Sequence, residues 1–378
     1  MPIFKTKHFI QHPTLMVALL LIVVAGVLFF GLRPKGYDYS NRVSLIEESG
    51  GLQFEKYSIA YTQPFSAPVV QQLESLGEFT IFLNFWPQPD FNDGFGLILI
   101  VHSGDDADQL VIGQWKSHII AMNGDDYAHK RRLPRISFDI SKKSKIDKSS
   151  SGIQVALTSN QAGTRLYVNG RLVKEKPKMV LKVPAGDGAR LILGNSPYGR
   201  AAWNGNIYSL ALFQGTFQET EMAYDSDEGV SMLHADEKSK ASPVLLYDFK
   251  SMEQGRVKDC SRNGVHLDLP ESIVPLKKKM LTFSWHDFEA DKGLFLDVVF
   301  NFIGFVPLGF LLSIVIIQSA QMSVKPTILM TILACFLLSL CIEVAQAWLP
   351  WRSSSLLDLV MNTIGAGVGA GVLLFRPR

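Results

Sequence analysis

Polar side chains recur at helical spacing inside three strongly apolar stretches near the C-terminus. The six residues form three pairs, each three or four positions apart and therefore on one helix face: Asp297 with Asn301, Glu343 with Gln346, and Asp358 with Asn362. Ionisable groups inside a membrane are costly unless they are paired or hydrated, so they indicate a functional site. They can bind a polar headgroup, and a carboxylate whose pKa is raised by burial can act as a general base. No nucleophile or metal-ligand cluster accompanies them, so no reaction is indicated.

Four apolar segments must position these residues. One covers residues 13–32, and three others cover about 295–317, 327–349 and 356–375. Each is long enough to cross a hydrocarbon core of about 30 Å at about 1.5 Å per residue. The first segment follows two lysines, as a signal peptide would. However, it is too long for a signal-peptide core and lacks a clean cleavage site, which favours an uncleaved anchor.

The orientation of these segments follows from their connections and flanking charges. The last three segments are joined by short connections, so neighbouring helices must run antiparallel. Lys5 and Lys7 place the N-terminus, residues 1–12, in the cytoplasm, because basic residues favour that side. The middle region is then extracytoplasmic and both termini are cytoplasmic. All three polar pairs lie at one depth near the outer surface, with Arg352 and Ser355 in the adjoining loop.

Small residues and one proline predict how these helices pack. Gly365 and Gly369 are four positions apart, which is the small-xxx-small spacing that permits close helix approach. Pro307 and Gly309 lie in the middle of the second span, where the proline frees a backbone carbonyl and predicts a kink.

These residues together resemble the VanZ-like membrane family. The matching positions are Asp297, Asn301, Phe305, Pro307, Gly309, Glu343, Gln346, Arg352, Ser355, Asp358, Asn362 and Gly365. The resemblance implies a protein of the bacterial cytoplasmic membrane and a link to low-level resistance to a glycopeptide antibiotic of the teicoplanin type. The chain departs from the family in having no early helix beside these three, unless the N-terminal anchor takes that place.

The region from residue 39 to 270 has the pattern of an antiparallel β-sandwich, and residues 271–294 link it to the helices. Short runs rich in Ile, Val, Phe and Tyr alternate with turn residues, and no helical period persists. Asn169 and Gly170 separate two such runs, which predicts a tight hairpin because both residues tolerate positive φ.

This region resembles a laminin-G-like, concanavalin A-like jelly roll. The motifs that carry the resemblance are Thr164–Gly170, Leu193–Asn195 and Trp203–Gly205 followed by Ile207–Leu210. The resemblance implies binding of carbohydrate or protein, and some relatives are glycosidases. Glycoside hydrolysis needs two carboxylates about 5 to 10 Å apart. The E-x-D-x-x-E pattern that supplies them in jelly-roll enzymes is absent, which favours a binding module over an enzyme.

Two polar stretches of the middle region have alternative interpretations. Asp105, Asp106 and Asp108 could bind calcium through their oxygens, as could an Asp pair at 125–126, but solvated turns explain these clusters more simply, so no cofactor is expected. The basic stretch 129–148 suits either anionic headgroups or a solvated loop.

The charge and cysteine content of the chain limit the partners and cross-links that it can have. A formal net charge of +2 argues against nucleic acid as a partner. Cys260 is the single cysteine of the middle region, which excludes a disulfide within it. Two functions are considered: a non-enzymatic envelope protein whose sandwich binds glycan or protein while its helices bind membrane lipid, or a membrane enzyme that acts on a lipid-linked or cell-wall intermediate through Glu343 or Asp358. A third interpretation is that the polar residues only hold the helices together.

Overall fold

The structure is a computed structural model, and the chain folds as two compact units. It describes residues 13–32, 40–46, 50–87, 94–104, 108–124, 134–141, 152–197, 199, 201–217, 243–250, 252–273, 276, 280–281, 292–349 and 354–375, without the side chains of 292–297. One unit comprises Met1–Tyr37 with Lys277–Arg378, and the other comprises Asp38–Leu276. The predicted fold class is confirmed: one N-terminal helix, an antiparallel sandwich and three C-terminal helices.

The middle unit is built from two antiparallel sheets. The first contains, in spatial order, Ser44–Leu45 (β1), Leu52–Phe54 (β2), Gly205–Gln214 (β13), Phe79–Pro87 (β4), Ile153–Asn160 (β9), Gly163–Val168 (β10) and Arg171–Pro177 (β11), with Pro243–Tyr247 (β14) also paired to β13. The second contains Arg256–Val257 (β15), Leu267–Asp268 (β16), Ala60–Thr62 (β3), Arg190–Leu193 (β12), Phe95–His102 (β5), Gln109–Trp115 (β6), His118–Asn123 (β7) and Arg135–Asp139 (β8).

The core of the sandwich is aromatic and aliphatic. Trp203 is fully buried and its ring lies beside Phe54 and Phe85. Its indole Nε1 donates to Gln114 Oε1 at 2.7 Å, so the one polar atom of this ring is satisfied inside the core. Asn195 is also fully buried, and its side-chain oxygen accepts backbone N–H groups that close the loop before β13. Two motif residues that carried the family resemblance therefore hold the fold together.

The predicted hairpin is present. Asn169 and Gly170 have φ values of 48° and 74°, and Val168 pairs with Arg171 across a two-residue turn. One element was not predicted: a helix, α2, covers Ala67–Glu74 and has a proline near its start. Its buried side is only two residues, too short for a helical period to appear in the sequence.

Four helices are long and apolar enough to cross a membrane among the described residues: α1 (Pro13–Leu32), α3 (Lys292–Ala320), α4 (Val324–Trp348) and α5 (Leu356–Gly371), which a 3₁₀ turn extends to Phe375. The helices α3 and α4 were predicted at about 295–317 and 327–349, and each begins three residues earlier than predicted. Pro307 lies on an exposed face of α3, and the helix continues through it; the kink remains a prediction.

Glycines bring α3 and α5 into backbone contact. A Cβ at Gly365 would overlap the carbonyl of Phe302, and one at Gly369 would overlap that of Val306. The contact is reciprocal, because a Cβ at Gly309 would overlap the backbone of Ala366. Backbones approach this closely only where side chains are absent, so the small-residue spacing sets the distance between these helices.

The N-terminal helix α1 packs with the C-terminal helices. Met16 is 1% exposed and clusters with Ile314 and Leu373. At its other end, Gln346 Nε2 donates to the carbonyl oxygen of Gly31 at 2.8 Å. The anchor therefore joins the three C-terminal helices in one unit, although the whole sandwich separates them in sequence.

Candidate functional site

A buried carboxylate lies where α4 meets the start of α5. Glu343 is 1% exposed, and its Oε2 accepts the backbone N–H of Ser355 at 2.7 Å. Ser355 is the N-cap of α5, and its Oγ accepts the N–H of Asp358 at 3.4 Å. An N-cap satisfies backbone donors that have no partner within the helix. The Glu343 carboxylate and the Ser355 cap therefore both stabilise the first turn of α5.

A second polar contact joins the same helices one layer deeper. Asn362 is 4% exposed, and its Nδ2 donates to Ser339 Oγ at 2.9 Å. Its other polar atom, Oδ1, is buried and has no hydrogen-bond partner among the described residues; Thr331 Oγ1 shares this property. An unsatisfied buried oxygen typically costs about 1–3 kcal/mol, so these atoms are potential acceptors for a ligand or a water molecule.

The three hydrogen bonds from Glu343, Gln346 and Asn362 connect three helices at one end of the bundle. Glu343 lies five positions before Trp348, the last residue of α4, which corresponds to about 7.5 Å along the axis. Gly31 is the penultimate residue of α1, and Asn362 lies in the second turn of α5. The ends of α1 and α4 and the start of α5 thus lie together.

The remaining predicted residues are placed less fully. Asn301 is half-buried on α3, and Asp358 is half-buried in the first turn of α5. Asp297 is a residue of α3 whose side chain lies outside the described part of the structure. Arg352 lies entirely outside it. The functional role of the cluster therefore remains a prediction.

Two buried hydroxyl residues of this face were missed in the sequence. On α4, small or polar residues recur every four positions and all are buried: Thr327, Thr331, Cys335, Ser339 and Glu343. The recurrence was visible in the sequence, and it predicts one continuous face directed into the bundle. Ser339 and Thr331 belong to the polar face on the same grounds as Glu343.

The described residues contain no group of three or more His, Cys, Asp or Glu side chains that could hold a metal ion. Of the three calcium candidates, Asp105 and Asp106 lie outside the described residues, and the backbone carbonyl of Asp108 accepts from Ser103 N and Oγ.

Fold and helices together define a multi-pass membrane protein that carries a jelly-roll domain. Residues 241–376 match the model of the VanZ/LLP1 family, and residues 61–223 match that of the concanavalin A-like lectin/glucanases superfamily. The chain is therefore a fusion of a VanZ-like membrane region with a concanavalin A-like domain. The first match begins before β14, so part of it lies in a sandwich strand rather than in the helices.

Solved structures with a related fold include a carbohydrate-binding module, the CBM40 of the Ruminococcus gnavus IT-sialidase bound to α2,3-sialyllactose. It is 14% identical, with 49% of this chain and 96% of that chain covered and a TM-score of 0.33. The receptor binding domain of botulinum neurotoxin C/D mosaic serotype is 10% identical, with 52% and 45% covered and a TM-score of 0.36. These identities are too low to indicate a shared ligand. No curated protein matches the sequence of this chain.

Proposed function

We propose that this chain is a non-enzymatic envelope protein of the bacterial cytoplasmic membrane. Its concanavalin A-like domain binds a glycan or glycan-bearing protein outside the cell membrane. Its helix cluster binds the polar headgroup of a lipid or lipid-linked envelope component. The match to a superfamily of lectins and glucanases supports the first part, and the match to the VanZ/LLP1 family supports the second.

The observation that carries the proposal is that the described carboxylate and amide hydrogen bonds between helices, or to a helix start, lie at one end of the bundle. Glu343, Asn362 and Gln346 all hydrogen-bond across helix boundaries or to a helix start at that end. A membrane protein that needed only stability could place such bridges at any depth. Asp358 is half-buried at the same end, so a headgroup hydroxyl or amine can reach it. Arg352 stays predicted to meet a phosphate or carboxylate.

The binding function is favoured over the enzymatic one by the role of Glu343. Its Oε2 already holds the N–H of Ser355, which suits a positioning carboxylate better than a general base. The half-buried Asp358 keeps the alternative open: a membrane enzyme that acts on a lipid-linked or cell-wall intermediate through Glu343 or Asp358.

Co-purification tests the helix cluster. The full chain is purified in mild detergent, and bound lipids and glycans are identified by mass spectrometry for the wild type, Asp358→Asn and Glu343→Gln. Ser313→Ala is the control, because Ser313 is a buried hydroxyl residue of α3 whose Oγ donates to the carbonyl of Phe310 within its own helix turn. We expect Asp358→Asn to lose a specific lipid or lipid-linked component at normal protein level, whereas the control retains it.

The outcomes separate the three interpretations. Equal lipid content in all variants contradicts headgroup binding at the cluster. Loss of the folded protein in Glu343→Gln, with unchanged lipid in Asp358→Asn, supports a purely structural cluster. An altered lipid-linked or cell-wall intermediate in cells carrying Asp358→Asn, together with a changed sensitivity to a teicoplanin-type antibiotic, favours the enzyme.

Orientation is tested with a native cysteine. Cys260 is an exposed residue of the sandwich, but partial desolvation of its thiol, together with nearby Asp248 and Asp259, raises its pKa, so labelling is done at mildly alkaline pH. If the domain is extracytoplasmic, a membrane-impermeant maleimide added to intact spheroplasts labels the wild type and leaves Cys260→Ser unlabelled. Labelling only after lysis places the domain in the cytoplasm and overturns the proposal.

A further inference from the structure

A cleft opens at one end of the first sheet, where β2, β13 and β4 lie side by side. Its volume is about 500 Å³, within the usual range for small-ligand sites. The side chains that line it and carry polar or aromatic surface are Gln53, Glu55, Lys56, Trp86, Asn204 and Asn206. Asn204 belongs to a motif that carried the family resemblance, but none of these residues was predicted as a binding residue.

Strand register brings three of these side chains into one row. Asn206 of β13 is paired with Gln53 of β2 on one side and with Trp86 of β4 on the other. Neighbouring strands are about 4.8 Å apart, so the row spans about 10 Å. Phe54 and Phe85, the neighbours of Gln53 and Trp86 along their strands, are buried in the core. The row therefore lies on the face of the sheet that is directed away from the core.

Trp86 offers a flat apolar surface to this cleft. Its side chain is 40% exposed, unlike Trp203, which is fully buried. An exposed indole beside polar groups suits a ligand with one apolar face, because the ring contributes a large contact area without burying an unsatisfied group. The C–H face of a pyranose sugar has this property, since its hydroxyls project from the ring edge.

The amides beside Trp86 match those hydroxyls. Gln53, Asn204 and Asn206 each carry one acceptor oxygen and an NH₂ donor, which is the combination that a hydroxyl group, both donor and acceptor, requires. Asn204 comes directly before β13, and within β13 Asn206 Nδ2 donates to Tyr208 Oη at 3.4 Å. The amide of Asn206 is thereby oriented at the centre of the row.

The charges of the cleft favour an uncharged ligand. Glu55 and Lys56 carry opposite charges, so the lining has no net formal charge. Arg42 lies 3.8 Å from Glu55, which offers that carboxylate a cation of its own. With Arg42 counted, the cleft carries a single net positive charge, which is too little to select a strongly anionic sugar.

We propose that the cleft formed by Gln53, Trp86, Asn204 and Asn206 binds an uncharged pyranose unit of an envelope glycan, with its ring stacked on Trp86 and its hydroxyls bonded to the amides. The proposal rests on the proposed function, since it names the site through which the sandwich would bind glycan.

The full chain in lipid nanodiscs is tested on an array of neutral oligosaccharides of β-linked glucose, mannose or N-acetylglucosamine and of acidic ones ending in uronic or sialic acid. The strongest hit is then titrated by calorimetry against the wild type, Trp86→Ala, Asn206→Ala and Trp115→Ala. Trp115 is a matched control, because it is a half-exposed tryptophan of the second sheet and its ring contacts Lys116 rather than the cleft.

We expect a neutral oligosaccharide to bind the wild type and Trp115→Ala equally. Trp86→Ala and Asn206→Ala should each weaken that binding at least about tenfold, which corresponds to about 1.4 kcal/mol. Circular dichroism checks that both variants stay folded; if either unfolds, Trp86→Phe, which keeps a smaller aromatic face, replaces it and should show partial binding.

Other outcomes overturn the proposal in separate ways. Equal binding by all variants places the glycan elsewhere on the domain and leaves the proposed function standing. Binding of acidic oligosaccharides alone contradicts an uncharged ligand. If no oligosaccharide on the array binds, both the cleft proposal and the glycan-binding part of the proposed function fail.

Discussion

The sandwich and the helix bundle are packed through different types of residue. The largest fully buried side chains of the sandwich are aromatic, among them Trp203, Tyr247 and Phe85. The closest helix contact in the bundle is made by glycines, at Gly365 and Gly369. The hydrophobic effect buries apolar side chains in the sandwich core, whereas in lipid it does not favour the association of helices. Close backbone contact and hydrogen bonds must then supply the helix association.

Buried polar groups, unlike the packing residues, do not separate the two units cleanly. In the sandwich, Tyr247 is buried, its hydroxyl donates to the carbonyl of Val265 at 2.5 Å, and burial raises the pKa of the phenol. It therefore stays protonated and remains a donor. In the bundle, Asn362 bonds Ser339 through its amide nitrogen while its oxygen has no partner among the described residues. In the sandwich, the buried Oδ1 of Asn84 shares this property, so incomplete satisfaction is found in both units.

Trp203→Ala should show the largest effect on stability. It removes a fully buried ring from the sandwich and leaves the side chain of Gln114 without its indole partner. Large-to-small aromatic changes in a core typically cost about 3–5 kcal/mol. Chemical unfolding of the full chain, followed by circular dichroism, measures the loss. Trp115→Ala is the control and should cost less than about 1 kcal/mol, because that ring is half-exposed. Equal losses for both variants would mean that Trp203 is not central to the core.

Gly369→Ala tests the backbone contact in the bundle. The new Cβ would overlap the carbonyl of Val306, so α3 and α5 must separate. Overpacking of this kind costs about 1–3 kcal/mol. Gly371→Ala makes the same change two positions later, where a Cβ would meet no atom within 4 Å, and should be neutral or slightly stabilising. Thermal unfolding in detergent compares them, and indistinguishable transitions would falsify close packing at Gly369.

One substitution made in both units compares buried hydroxyls directly. Ser159 Oγ accepts the N–H of Leu181 at 2.8 Å in the sandwich, and Ser339 Oγ accepts from Asn362 in the bundle. Ser159→Ala leaves a buried N–H without its acceptor and should cost about 1–3 kcal/mol. Ser339→Ala should cost about 0.6 kcal/mol, the average for such bonds between membrane helices. Unfolding of each variant gives the two values; the reverse order would mean that a buried hydroxyl contributes more to stability in the bundle than in the sandwich.

The smallest expected effect concerns the N-terminal helix. Gln346→Leu keeps a similar volume but removes the donor to the carbonyl of Gly31, which should cost about 0.6 kcal/mol. Gln321→Leu is the control amide change, because Gln321 is exposed just after α3. The thermal transition in detergent reports both, and a loss confined to Gln346→Leu shows that α1 is held by this bond. No difference between them would leave α1 held by apolar contacts such as those of Met16.

Much of the architecture was predictable because its causes are local. The unbroken apolar run of α1 and the Asn169–Gly170 turn depend on nearby residues alone, and both were placed correctly. The short helix α2 was missed because eight residues give too little periodicity. The polar pairs of α4 and α5 were found by spacing, but spacing could not predict that Glu343 accepts the backbone N–H of Ser355.

The sequence by itself determined the class of each segment: which stretches are apolar enough to cross a membrane, which alternate as strands, and which family each half resembles. Only the tertiary structure decided which segments meet. It joined α1 to helices more than 250 positions away, through the contact between Gly31 and Gln346, and it aligned Gln53, Asn206 and Trp86 on three neighbouring strands. The physical reason is that hydropathy and turn preference are properties of neighbouring residues, whereas strand register and helix contacts depend on how distant surfaces fit together.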